Sequence, residues 1–254
     1  MHKMTNTDLQ IIVTTCDKYA WALRPSAYLF NTHWSASALV HVLCESPISN
    51  LPPNFQPRPI SLPDNGGWPR KLWTDGLIKY LHSIPQQFVI IMLEDYWLTR
   101  DVNLPAIDYA LEYMMQYRSI LRVDLTTDRL YAGGVKQHDT YRWLDFVQAD
   151  HSPYEMSLMP GLWNKKLLLD ILEPGWSPWD VETIGTNKVN ESEMVVLGTR
   201  QNPITFVNGM RDHTEDVNVN GIKEPHRSKV KEWIPTNAEI VDFPWHERPN
   251  NKPD

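Results

Sequence analysis

Two adjacent carboxylates, Glu94 and Asp95, follow directly on six apolar residues, Phe88-Val89-Ile90-Ile91-Met92-Leu93. A continuous apolar run behind Pro85 reads as a strand buried on both faces, the kind found inside a largely parallel sheet. The acidic pair then stands at the carboxyl end of that strand, the edge where open α/β sheets bind their ligands. Two acidic groups placed there can hold a divalent cation against the phosphates of a substrate. An isolated Glu-Asp pair often does no more than solvate a strand end, but a second acidic motif accompanies this one. In Trp176-Ser177-Pro178-Trp179-Asp180-Val181-Glu182 two carboxylates stand two residues apart beside two tryptophans. A helix starting near Pro178 aims its N-terminus at the same cleft.

The elements that must position these groups follow from the periodicity. Leu9 to Thr15 reads as an opening strand that delivers Cys16-Asp17-Lys18-Tyr19 at its end, where Asp17 can accept hydrogen bonds from a base or ribose. Ala20 to Asn31 has helical potential, and Ser37 to Cys44 reads as a second strand, parallel to the first across that helix. Pro47 to Pro69 holds seven prolines and reads as a surface loop with one short strand near Arg58 to Ser61. Trp73, Leu77, Tyr80 and Leu81 share one face of a helix that leads into the central strand. Asn103 to Arg118 is a second helix with Pro105 in its first turn, followed by a strand over Ser119 to Leu125. Thr126 to Ser157 is irregular, aromatic and polar, the kind of segment in which specificity for a second substrate resides. Gly161-Leu162-Trp163 is expected to open a helix from Asn164 to Leu172, and Ile204 to Val207 is expected to be the last strand.

Composition narrows the classes. With 254 residues, 42% apolar and 22% charged, a sizeable core is possible, and no run approaches the roughly 18 apolar residues of a membrane span. The polar start, Met1 to Leu9, is not signal-like, so the chain is expected to be soluble and cytoplasmic. Cys16 and Cys44 form neither a metal-ligand spacing nor a disulfide framework. The net charge of −7 gives no general attraction for nucleic acid, against which stands one late basic cluster of Lys223, His226, Arg227, Lys229 and Lys231, diluted by Glu224 and Glu232. Eleven tryptophans suit stacking on planar rings, although core packing must account for most. Neither G-x-G-x-x-G nor G-x-x-x-x-G-K occurs.

Three stretches together resemble glycosyltransferases of the GT-A fold, in particular an uncharacterised bacterial and phage-type group. They are Thr15-Cys16-Asp17-Lys18-Tyr19; Trp73-Thr74-Asp75-Gly76-Leu77 leading to Phe88 through Asp95; and Pro160-Gly161-Leu162-Trp163 followed by Trp176 to Glu182. The resemblance covers roughly Leu9 to Glu182. It implies a Rossmann-type α/β fold with a mixed, mainly parallel sheet flanked by helices. It also implies one domain over 1–245, about 1–125 serving the nucleotide sugar and about 126–245 the acceptor, with 246–254 a disordered tail. The implied donor-binding residues are Thr15, Asp17, Lys18, Tyr19, Asp75 and Glu94, and the implied acceptor-binding residues Trp163, Trp176 and Trp179. Many relatives carry Asp-x-Asp where this chain has Leu93-Glu94-Asp95. Asp95 therefore matches the direct ligand of the implied Mg²⁺ or Mn²⁺ ion and Glu94 binds through water or the ribose, while His213 and His226 are the two late candidates for a further ligand, His213 being taken first. Trp179-Asp180-Val181-Glu182 resembles the motif that supplies the general base of inverting enzymes. Neighbours two apart on a helix point in different directions, so one carboxylate faces the sugar. Glu182 is favoured for that role, and Asp180 is left to hold the acceptor or cap a helix.

The implied function is transfer of a sugar from a nucleotide-sugar donor to a hydroxyl acceptor, metal-dependent and inverting. Hydroxymethylated bases of phage-type DNA are an alternative acceptor. A nucleotidyltransferase would also use acids at a strand end, but it needs a basic, glycine-rich loop after the first strand, where only Lys18 is offered. A carbohydrate-binding protein would use the tryptophans but leave Glu94 and Asp95 without a task.

Overall fold

The computed structural model describes residues 8–60, 72–149, 152–210 and 216–242. The first half of the chain alternates strand and helix: β1 (Leu9–Thr14), α1 (Leu23–Phe30), β2 (Val40–Cys44), β3 (Phe55–Pro59), α2 (Trp73–Ser83), β4 (Phe88–Leu93), β5 (Tyr96–Leu98), α3 (Leu104–Gln116) and β6 (Ile120–Asp124). The second half adds β7 (Lys136–Tyr141), β8 (Leu144–Gln148), β9 (Gly161–Asn164), α4 (Lys165–Ile171), α5 (Pro178–Asn190), β10 (Val195–Thr199), β11 (Phe206–Asn208), β12 (Val217–Asn218), α6 (His226–Lys231) and β13 (Ile240–Val241). Nine strands from both halves join one sheet in the order β3-β2-β1-β4-β9-β6-β10-β8-β7. Neighbours run parallel from β3 to β4 and between β6 and β10, while β9 is antiparallel to both β4 and β6.

The apolar run of β4 is explained by burial on both faces. Phe88, Ile90 and Met92 join the core layer under α1 and α3; Val89 and Ile91 join the layer under α2, α4 and α5. Both layers exclude water from a strand that alternates sides at every residue, so every position must be apolar. The register Thr14↔Leu93 then brings the ends of β1 and β4 to one edge. Asp124 at the end of β6 pairs with Gly161 at the start of β9, which puts that end on the same edge.

Several sequence expectations need correction. Gly161-Leu162-Trp163 opens no helix; it is strand β9, whose four residues are all buried between β4 and β6. The helix begins one residue later, capped by the Asn164 side chain, which accepts from the N–H groups of Lys166 and Leu167. The second strand starts at Val40 rather than Ser37, and the short strand of the proline-rich stretch is Phe55–Pro59. The strand expected over Ile204 to Val207 is shifted to Phe206–Asn208, pairs with β5 outside the main sheet, and is followed by β12 and β13. The expected tail at 246–254 lies outside the described residues.

At the two open edges lie β3 and β7. Along β3, Asn54 accepts from Val40 and Ile60 donates to Cys44, so the even-numbered residues face β2. Strand β7 carries Lys136, Gln137, His138 and Asp139, with a register irregularity between Gln137 and Asp139.

Gly161 is where the sheet tolerates least. A methyl group there would lie 2.7 Å from Nε of Arg122, a side chain with no exposed surface and no room to retreat. Gly161→Ala is expected to lower the urea midpoint by the equivalent of about 1–3 kcal/mol, as overpacking does, at an unchanged m-value. A midpoint equal to that of the parent chain would show that Arg122 can yield.

Candidate active site at the carboxyl edge of the sheet

Glu94 and Asp95 are both buried where β4 turns into β5. The backbone carbonyl of Asp95 accepts from the N–H groups of Trp97, at 3.1 Å, and Gly209, at 2.7 Å. Its carboxylate takes the Met210 N–H and, with the amide of Asn208 turned nitrogen-inward, a hydrogen bond from Asn208. The Asn208–Met210 segment thus clamps the acid from above. Burial nevertheless dominates: it pushes the Asp95 carboxyl up to about 7, and burial together with the Asp95 charge pushes Glu94 well above the carboxylate range. His213, the third implied ligand, lies outside the described residues.

A cation fits this donor set in kind. Both groups are hard oxygen donors, and burial, the main cause of their raised pKa values, is a cost that a bound cation would offset. Among the described residues no three or more His, Cys, Asp or Glu side chains stand close enough together to hold a metal ion by themselves. Mg²⁺ does not need one, since one or two carboxylates suffice when substrate phosphates and water fill the remaining positions.

A second acidic group reaches the same region from α5. Oε1 of Glu182 accepts the Leu158 N–H at 2.8 Å, and burial raises its pKa against the opposing pull of that bond and of Arg122. The hydroxyl of Tyr96 lies in the electrostatic reach of Asp95, Glu182, Glu94 and Arg122, which places the five groups in one neighbourhood. Asp180 is committed elsewhere. It closes a capping box with Ser177, accepting from its N–H and hydroxyl at 2.8 and 2.7 Å, and those bonds hold its carboxyl below the usual range.

The residues expected to bind the donor separate. Asp17 accepts from the N–H and hydroxyl of Ser46 and lines a cleft of about 510 Å³ together with Trp21, Arg24 and Trp233. Thr15 is buried at the end of β1, and Lys18 lies over the ring of the adjacent Tyr19. Asp75 does not line that cleft; it accepts the Gly175 N–H at 2.6 Å and ties α2 to the loop before α5.

Of the implied acceptor-binding tryptophans, Trp163 needs correction. It is 1% exposed, and Arg122 covers its ring at 5.0 Å, so no acceptor can touch it. Trp176 is also buried, with Lys188 over its ring, while Trp179 is exposed on α5. The late basic cluster is largely consumed inside the fold: Arg227 pairs with Asp242, Lys229 with Glu232, and His226 bonds Tyr28.

The sequence reading missed a polar centre on β6. Arg122 is fully buried, donates to the Met159 carbonyl at 3.0 Å and stands 3.6 Å from Asp124. Asp124 takes the Thr126 N–H and hydroxyl on its other oxygen. Nearby Asp128 is pushed up by burial and by Asp124. Arg and Asp two apart at the end of an apolar strand were the available signal. Beside this centre a cavity of about 380 Å³ opens, lined by Asp128 on one side and by Asn208, the partner of Asp95, on the other.

No protein-family model matches the sequence, and no curated protein matches it. Solved structures do. A CMP:2-keto-3-deoxy-manno-octonic acid synthetase complexed with CTP is 11% identical, with a TM-score of 0.43 over 79% of this chain and 93% of that one. TarS residues 1–349 from S. aureus is 13% identical, with a TM-score of 0.43 over 78% and 59%. A cytidylyltransferase from Leptospira borgpetersenii serovar Hardjo-bovis is 10% identical, with a TM-score of 0.45 over 80% and 83%. Glycosyl- and nucleotidyltransferases both occur among such neighbours, and the mixed α/β sheet of this chain stands on its own strand order.

The raised Asp95 pKa has a measurable consequence in metal-free protein. The folded chain holds this proton more tightly than the unfolded chain, so the contribution of Asp95 to stability is greatest below its unfolded pKa of about 3.9 and falls as pH rises towards about 7. Asp95→Asn should flatten the decline in melting temperature across that window. An identical decline in the mutant would show that Asp95 is not desolvated in solution.

Proposed function

We propose that the chain is a transferase that moves a glycosyl group from a nucleotide-sugar donor to a hydroxyl acceptor, with inversion at the anomeric carbon. The observation that carries this reading is the gathering at one sheet edge of a buried acidic pair, Glu94-Asp95, and a separate half-buried acid, Glu182, with a cavity opening beside Asn208, the partner of Asp95. A diphosphate leaving group needs positive charge near it, whereas an acceptor hydroxyl needs a base on the other side. Separate acids meet the two needs.

In this reading Asp95 holds Mg²⁺ or Mn²⁺ with Glu94 beside it, and the cation, when bound, supplies Lewis-acid stabilisation of the departing diphosphate. The cleft bearing Asp17, Trp21 and Trp233 takes the nucleoside, with Asp17 able to accept from a base or ribose and the indoles offering apolar faces. Glu182 removes the acceptor proton. Its raised pKa makes it a stronger base than a solvated glutamate, and the Leu158 N–H fixes one oxygen while leaving the other for the substrate. Asp180 has no part in the chemistry because its carboxylate caps α5. The loop after β1 carries only Lys18, folded onto Tyr19, and therefore gives nucleotidyl transfer little support.

Thermal-shift screening of nucleotide sugars with and without Mn²⁺ tests the donor half. A ligand at 100 times its dissociation constant stabilises by about 2.7 kcal/mol. A shift from nucleoside triphosphates alone would instead favour nucleotidyl transfer. Glu182→Gln is expected to lower turnover by roughly 10²- to 10⁴-fold with donor affinity nearly unchanged. NMR showing retained anomeric configuration in the first-formed product would overturn the inverting mechanism.

A further inference from the structure

The 380 Å³ cavity carries more information than its position. Its size lies within the range that encloses a small ligand. Amides and hydroxyls make up much of its wall, and the ring of Tyr131, 86% exposed, stands at its rim. Such a lining suits a polyhydroxylated ring, which hydrogen-bonds in its plane and offers an apolar face to an aromatic side chain.

Charge adds the distinguishing feature. Arg100 and Lys223 both line this cavity, and among the described residues neither side chain has a hydrogen-bond or ion-pair partner. Several other cations among the described residues are engaged: Arg129 with Glu155, Arg142 with Glu112, Lys188 with Glu173, Arg227 with Asp242 and Lys229 with Glu232. In a chain of net charge −7, two unpaired cations on one polar cavity form a local anion-attracting field. Among the described lining residues the one acid, Asp128, has its carboxyl pushed up by burial and by Asp124, which weakens its opposition.

We propose that this cavity receives an acceptor bearing an anionic group, phosphate or carboxylate, on a polyhydroxylated unit, with Arg100 and Lys223 taking the anion and Tyr131 facing the ring. The inference deepens the transferase reading and rests on it for the word acceptor. Binding of the anionic sugar itself does not depend on that reading. A phosphate has two possible sources here, the acceptor or the diphosphate of the donor. Asn208 borders both the cavity and Asp95, so the two must be separated by experiment.

Calorimetry on the full chain at low ionic strength, with glucose 6-phosphate, glucuronate and glucose as probes, tests the proposal. The anionic probes are expected to bind at least tenfold more tightly than glucose, with or without saturating UDP. Arg100→Gln/Lys223→Gln should abolish that preference at an unchanged melting temperature, since both side chains are exposed. Equal binding of charged and neutral probes, or a preference that survives the double substitution, would overturn it. Displacement of glucose 6-phosphate by UDP, with UDP itself weakened by the substitutions, would assign the cations to the donor diphosphate instead. Arg100- and Lys223-dependent binding of single-stranded DNA without sugar-phosphate binding would also overturn it. Cation-dependent sugar-phosphate binding in a chain that turns over no nucleotide sugar would leave the anion site standing and remove the transferase reading.

Discussion

A guanidinium with no exposed surface sits in the middle of the sheet, and much of the site is arranged around the need to accommodate it. Taking Arg122 out of water costs several kcal/mol, which its surroundings must offset. The Met159 carbonyl, the Asp124 carboxylate 3.6 Å away and the face of Trp163 offset part of it, while Nε and Nη1 find no hydrogen-bond partner among the described residues. Only a glycine at 161 leaves room for it. The loop that supplies the Met159 carbonyl also supplies the Leu158 N–H to Glu182 and the Glu155 carboxylate to Arg129. One buried charge therefore fixes the segment that orients the candidate base, and its field opposes the rise in pKa that burial gives Glu182.

Around Arg122 the balance is negative. Glu94, Asp95, Asp124, Asp128 and Glu182 occupy the same edge, and four of these five carboxyls are raised by desolvation. Stability alone would disfavour such a grouping, since each raised pKa opposes folding above the ordinary carboxylate range. Acids concentrated without sufficient counter-charge are what a site requires when its ligands bring the charge, a cation with its diphosphate, or bring a proton to be removed. The Asn208–Met210 clamp fixes Asp95 in place without neutralising it, because amide and N–H donors supply hydrogen bonds and no net charge.

How much of this could be read from residues alone differs by kind of signal. The β4 run was legible because burial on both faces requires every residue to be apolar, and Asn103 and Asn164 were legible as helix starts because their side chains satisfy free N–H groups. Strand β9 was misread as the start of a helix. Gly161-Leu162-Trp163 has no periodicity of its own, and its place between β4 and β6 is set by partners distant in sequence. Trp163 was assigned to the acceptor because tryptophan suits sugar rings, but the Arg122 guanidinium claims its face first. Asn208 and Arg100 went unnoticed, and Lys223 was grouped with the late basic cluster, because the cavity they share is assembled from five separate segments.

The two prolines of β3 have a consequence for the molecule as a material. Even-numbered residues of β3 turn their backbone groups toward β2, so the odd positions, Pro57 and Pro59 among them, face the open edge. A proline has no N–H to offer, and the edge therefore lacks the donors with which a stray strand would pair. At the far edge, Lys136, His138 and Asp139 with the irregular register of β7 produce the same result by charge and twist. A nine-stranded sheet is long enough to seed its own polymerisation. Among its described residues both end strands are poor templates for edge-on growth.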